Sequence, residues 1–195
     1  MIDKCIIAKE MLMSNKNFKR STFLYVTPKE VPKDYLMDHK LDYRLSRWCL
    51  KELTQEENLS IFNHLHMEAD ETKLVSISHT KELAACALCI NKNVRSIGID
   101  IEWVGRKIRD GSFKYFVSKE EELELYSPLE IWCIKEAAFK AYYPFHDQSQ
   151  KTLVLTDFVI KENATLLAPN GETFDFSLTK QKVEDKEFIL VLAEY

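Results

Sequence analysis

"IGIDIEW", residues 97–103, alternates isoleucines at 97, 99 and 101 with Gly98, Asp100 and Glu102. Alternation of period two is the pattern of a half-buried β-strand, so the isoleucines share one face and the acids the other. Side chains at i and i+2 project side by side, within reach of a common ligand. Two carboxylates held this way suit a divalent cation, although an edge strand with an acidic solvent face satisfies the same pattern.

The rest of the chain sets the bounds. Its 195 residues suffice for one compact protein with a sizeable core, and the 46% hydrophobic and 30% charged composition is that of an ordinary globular domain. The longest uncharged apolar run, Leu83 to Ile90, is too short to cross a bilayer, and Asp3, Lys4, Lys9 and Glu10 interrupt any signal-peptide core. A cytoplasmic location with no membrane contact is the expectation. A net charge of −4 argues against nucleic acid as a partner, since no broad basic field is available to neutralise a phosphate backbone. The odd set of five cysteines at 5, 49, 86, 89 and 133 suits reduced thiols. Cys86 and Cys89 with His64 and His66 could form a zinc site, but "LAACALCI" reads as a buried segment, and strand residues three apart face opposite ways.

Residues 39–53 predict an amphipathic helix with Arg44, Arg47 and Lys51 aligned on one stripe, either a solvated face or an anion-binding one. A short helix is expected at 55–68, then strands at "KLVSISH", at 83–90 and at the opening stretch, the three forming one antiparallel sheet. "SKEE" (118–121) and "SPLE" (127–130) both have the form of a helix capping box, and Pro128 and Pro144 bracket a helix over 128–142. Beyond residue 152, "TLVLTDFVI", "ATLLA", "ETFDFSLT" and "EFILVLAEY" predict strands, with a turn at "PNG". "LVSISHTKELAACAL" and "FDFSLTKQKVEDKEFILVLA" each read as strand, threonine-lysine turn and strand, a hint of two related halves.

The helix "EIWCIKEAAFKAYY" (130–143) supplies a third acid. Trp132, Lys135, Glu136, Phe139 and Lys140 fall within an arc of roughly 140°, opposite Ile131, Ile134, Ala138 and Ala141. Charges interleaved with aromatics read as a cleft wall or as paired surface charges. In the first case Asp100, Glu102 and Glu136 could hold Mg²⁺, with Lys135 and Lys140 neutralising a phosphate-bearing ligand.

"GIDIE" followed by "WCIKEAAFKA", with "SISHT" upstream at 76–80, resembles the ordered signature of the 4′-phosphopantetheinyl transferases, and the length resembles the surfactin-type branch of pseudo-twofold monomers. The resemblance implies an α/β (α+β) fold of two pseudo-twofold lobes, near 1–104 and 105–195, each with a mainly antiparallel sheet packed on helices. It implies transfer of 4′-phosphopantetheine from coenzyme A to a serine of an apo carrier protein. Asp100, Glu102 and Glu136 match the magnesium ligands, Glu136 also the proposed base, and Lys140 and Lys135 the lysines near the pyrophosphate. His79 and Ser78 match the contact to the 3′-phosphate, with Arg44, Arg47 or Lys51 beside it. The branch's Gly-Lys-Pro segment is missing, and Lys73 stands nearest to its lysine. An acidic carrier could dock at Arg106, Lys107, Arg109, Phe113, Lys114 and Phe116, where cations flank aromatics. Two other classes fit the acids: a magnesium nuclease or phosphatase, which leaves the Trp132 to Lys140 face and His79 unexplained, and a non-catalytic coenzyme A or carrier-binding module.

Overall fold

The computed structural model describes residues 21–36, 40–118, 121, 125–147, 149 and 151–195. Its first half runs β1 (Ser21–Val26), α1 (Leu41–Thr54), β2 (Ile61–Phe62), β3 (His66–Met67), β4 (Asp70–Thr80) and β5 (Leu83–Cys89). Its second half repeats the order with β6 (Ile97–Trp103), α2 (Pro128–Tyr142), β7 (Val159–Lys161), β8 (Thr165–Leu167), β9 (Thr173–Val183) and β10 (Lys186–Glu194). The strands form two five-stranded sheets, β1-β5-β4-β3-β2 and β6-β10-β9-β8-β7. Every pairing is antiparallel, and the second sheet copies the strand order of the first. The α+β architecture with two lobes of like topology is therefore as the sequence predicts.

Three apolar layers hold these elements together. Leu45, Cys49 and Leu50 of α1 pack with Leu24, Val75 and Cys86 on the outer face of the first sheet. Ile97, Ile99 and Ile101 join Ala85, Ala87, Leu190 and Leu192 in the layer between the sheets. On the far side, Ile134, Ala137, Ala138 and Ala141 of α2 pack with Phe176, Ile189 and Val191. The isoleucine face of β6 is thus turned to the other sheet and its acidic face to α2, as strict alternation requires.

Local sequence accounts for the boundaries of α2. Ser127 accepts from the Glu130 amide at 3.4 Å and Glu130 accepts from the Ser127 amide at 2.7 Å, a complete capping box with Pro128 behind it. At the other end Pro144 sits in a single 3₁₀ turn, Tyr143–Phe145, where it closes the helix. At Ser118 the Glu121 carboxylate accepts from the backbone amide at 2.8 Å, but the helix expected there runs into residues outside those described.

Four expectations are corrected. β6 pairs with β10 and not with β4 or β5, so the three strands expected in one sheet are divided between two. Residues 55–68 form the short β2-β3 pair and not a helix, because Asn63 and His64 take left-handed backbone angles (φ 48° and 56°) that turn the chain. Thr179 and Lys180 lie inside β9, and the hairpin turns later, at Glu184 and Asp185, between the paired Val183 and Lys186. Of "TLVLTDFVI", only its end is strand; Leu155–Asp157 is a 3₁₀ turn.

α2 lies so close to β6 that only a glycine fits beneath it. A β-carbon at Gly98 would stand 1.9 Å from the Ala137 carbonyl oxygen and 2.8 Å from the Ala141 amide nitrogen. Gly98→Ala must therefore lift the helix backbone, since no flexible side chain can give way. We expect it to lower stability by about 3 kcal/mol, read as a reduced urea midpoint with unchanged slope.

Candidate functional site

β6 is the outer strand of its sheet, so one of its backbone edges has no strand partner. Alternate residues of β4 cover that edge with hydroxyls. Ser76 Oγ accepts from the Ile99 amide at 3.0 Å, Ser78 Oγ donates to Asp100 Oδ1 at 2.8 Å, and Thr80 Oγ1 donates to Glu102 Oε2 at 2.9 Å. From the opposite side Lys140 Nζ donates to the Ile99 carbonyl at 2.9 Å and to Asp100 Oδ1 at 2.8 Å. The acids of the opening motif are thereby clamped between a strand of the first sheet and a helix on the second.

Both acids are buried, and their oxygens are unequally satisfied. Asp100 Oδ2 is enclosed without a hydrogen-bond partner. A buried carboxylate oxygen left this way carries an uncompensated desolvation cost that a bound cation would remove. Glu102 is held by Thr80 and by an ion pair with Arg106, whose guanidinium stands 5.9 Å from the Trp132 ring centroid. Glu136 is partly buried, and burial together with the Asp100 charge raises its carboxyl above the usual carboxylate range, against the pull of Lys140 and Arg106. Among the described residues no three His, Cys, Asp or Glu side chains stand ready to hold a metal ion. Lys140 and Arg106 are at present the cations of the acid cluster.

A cleft of about 660 Å³ opens beside this cluster. Arg47 of α1, His79 of β4 and Lys140 of α2 all line it, with Tyr43, Phe139 and Tyr143 among its walls. With His64 of the β2-β3 turn, four cationic or protonatable side chains thus converge on one space. Arg47 is braced there by a 2.7 Å bond from Nη1 to the Leu59 carbonyl and by the Tyr43 ring at 5.1 Å. Ser78 faces away from the cleft, toward Asp100. Arg44, Lys51 and Lys73 do not line it: Arg44 lies over the Tyr35 ring, and Lys51 and Lys73 pair with Glu57 and Glu56.

Two further predicted residues are placed otherwise than expected. Lys135 is fully buried and bonded to Glu121 at 2.7 Å, on the core side of α2, and not on the cleft face. Glu121 also accepts from the Ile160 amide at 3.0 Å, so this pair ties α2 to β7. Its ammonium loses water to that burial, which lowers its pKa despite the glutamate. Phe116 is buried edge-to-face on Trp132, with centroids 5.4 Å apart, and is no part of an exposed patch. Arg106, Lys107, Arg109, Phe113 and Lys114 are exposed, together with Val104 and Tyr115. Cys86 and Cys89 are buried in different core layers, so the zinc reading finds no geometry.

Sequence reasoning missed Ser76, Thr80 and Glu121. Ser76 was open to discovery, since it alternates with Ser78 on the strand expected at "KLVSISH"; Thr80 lies one residue past that strand, in the expected threonine-lysine turn, although β4 in fact runs through it. Glu121 stood out only as the acid of the "SKEE" capping box, and nothing in the sequence pairs it with Lys135, 14 residues away.

Residues 96–192 match the family model of the 4′-phosphopantetheinyl transferase superfamily, and this part of the chain is a domain of that superfamily. The match starts one residue before β6 and takes in α2 and almost all of the second sheet. The two-lobed α+β fold agrees with it, and it supports a transferase acting with phosphopantetheine and coenzyme A. No curated protein matches the chain. Among the described residues no helix is long and apolar enough to cross a membrane.

The raised Glu136 carboxyl has a measurable consequence for stability. An acid whose folded pKa lies above its unfolded value favours folding at low pH and loses that contribution as pH rises through the folded pKa. Glu136→Gln removes the charge, so its melting temperature should exceed that of the parent at about pH 7, and the difference should vanish at about pH 4. Melting curves across pH check the sign.

Proposed function

We propose that this protein transfers the 4′-phosphopantetheine group of coenzyme A to a serine hydroxyl of an apo carrier protein, releasing 3′,5′-ADP. We further propose a cytoplasmic monomer of the surfactin-type branch, with its site between the two lobes; β6 belongs to the second sheet, so the lobes divide ahead of it and not near 104 as the sequence suggests. The observation that carries the reading is Lys140, one ammonium that lines the cleft and also bonds Asp100. It joins a space suited to a phosphorylated ligand to a cluster of acids suited to a metal.

In this reading Arg47 and His79 receive the 3′-phosphate, and the aromatic walls flank the adenine and pantetheine. Asp100, Glu102 and Glu136 would hold Mg²⁺. The donor set fits: all are hard carboxylate oxygens, Asp100 Oδ2 lacks a partner, and the proximity of Asp100 to Glu136 disfavours two negative charges without a further cation. Bound there, the ion supplies charge neutralisation at the pyrophosphate.

The protein's own groups do the remainder. The serine oxygen forms a bond to the phosphorus bearing pantetheine while the bond to the 3′,5′-ADP oxygen breaks. Glu136, whose carboxyl is already more basic than usual, accepts the serine proton directly or through water. Lys140 faces the charge that develops on the phosphoryl oxygens. The exposed loop bearing Arg106, Lys107, Arg109, Phe113 and Lys114 offers an acidic carrier complementary charge around apolar contacts.

Intact-mass spectrometry of apo carrier domains incubated with the protein, Mg²⁺ and coenzyme A tests the reaction. We expect a phosphopantetheine mass gain that chelator abolishes and that Glu136→Ala slows by about 10³-fold; no gain on any carrier sinks the reading. Arg47→Ala and His79→Ala should each weaken coenzyme A binding about tenfold while leaving dephospho-coenzyme A unaffected. Equal losses for both ligands would remove these residues from the 3′-phosphate.

A further inference from the structure

Within the exposed basic loop, Arg106 reaches back to a buried acid. Its side chain is 46% exposed and that of Glu102 is 8%, so the pair stands at the lip of the acid cluster, with one partner in protein and one in water. Arg106 follows Gly105, whose left-handed backbone (φ +90°) turns the chain there, and its amide donates to the Trp103 carbonyl at 3.1 Å, so the exchange is a movement of the side chain alone. Glu102 has a second anchor, since Thr80 holds Oε2 independently of the arginine on Oε1.

We infer that Arg106 is an internal cation that occupies Glu102 in the carrier-free protein and is drawn off it by the carboxylates of a docking carrier, releasing Glu102 toward the metal. The inference rests on the transferase reading above and adds its regulation. The guanidinium and a divalent ion carry charge of the same sign and meet at the same oxygen, so each weakens the other's hold on it. Breaking a pair that involves a buried carboxylate is costly if nothing replaces the lost charge. Here each side has a replacement: the arginine meets an acidic partner, and Glu102 meets the metal. Because one ion pair is exchanged for another, a docking contact of modest strength can tip the balance. Lys107, Arg109 and Lys114, exposed on the same loop, bring the acidic partner to the place where Arg106 must turn. Trp132 offers the guanidinium an aromatic face along the way. The acid cluster is thereby completed only when there is a carrier to modify, which limits unproductive attack of water on coenzyme A.

Mn²⁺ titrations followed by electron paramagnetic resonance, on the full chain without coenzyme A, test the exchange. Arg106→Gln should bind Mn²⁺ about five- to tenfold more tightly than the parent, and Arg106→Lys, which keeps the charge, should restore most of the parent's affinity. An apo carrier lacking its acceptor hydroxyl should tighten Mn²⁺ binding in the parent and not in Arg106→Gln. Far-UV circular dichroism and melting confirm that each variant is folded. Equal Mn²⁺ affinity in parent and Arg106→Gln, with phosphopantetheine transfer intact, overturns the exchange alone. Absence of transfer on every carrier removes the reading it rests on and the inference with it.

Discussion

The close approach of α2 to β6 over Gly98 is the constraint on which the site depends. A helix carried directly on a strand brings Lys140 within reach of both the Ile99 carbonyl and Asp100. Any larger residue at 98 would move the ammonium away from the acid by moving the helix itself. The small residues Ala137, Ala138 and Ala141 extend the same contact along the helix. Packing and chemistry are coupled here because the residue that sets the interlayer distance lies two positions from the acid that uses it.

A second organising feature is the lateral meeting of the sheets. β6 belongs to the second sheet, yet its unpaired edge is served by hydroxyls from β4 of the first. Polar side chains do what a neighbouring strand would otherwise do, and the same side chains orient the carboxylates. Placing buried acids at such a seam surrounds them with fixed donors while leaving an oxygen of Asp100 open. The cleft lies along this seam, which explains how α1, β4 and α2 all contribute to it.

What the sequence made legible was local. Alternation placed Asp100 and Glu102 on one face of β6, and the capping box with its two prolines located α2 almost to the residue. The likeness of the halves was also visible, although the second threonine-lysine pair proved to be strand. The hidden parts depend on distant partners. β6 takes its sheet from β10 at the far end of the described chain, and nothing in "IGIDIEW" distinguishes that partner from β4. Lys135 sat at the margin of the polar arc, where a rotation of about 100° from Glu136 can end in solvent or in core. Glu121 settled it in the core. At 55–68 two residues of left-handed backbone, Asn63 and His64, overrode the helical reading.

The topological repeat gives the chain two architecturally equivalent seats and furnishes only one. β1 holds in the first sheet the place that β6 holds in the second, but "STFLYV" contains no acid. β9 corresponds to β4, and its Ser177 and Thr179 carry buried hydroxyl oxygens without partners, where Ser78 and Thr80 of β4 hold carboxylates. Two identical subunits would repeat every substitution on both sides of their axis. Joined in one polypeptide, the halves are free to specialise, one supplying the acids and α2 with its lysine, the other the hydroxyls and the arginine on the opposite wall.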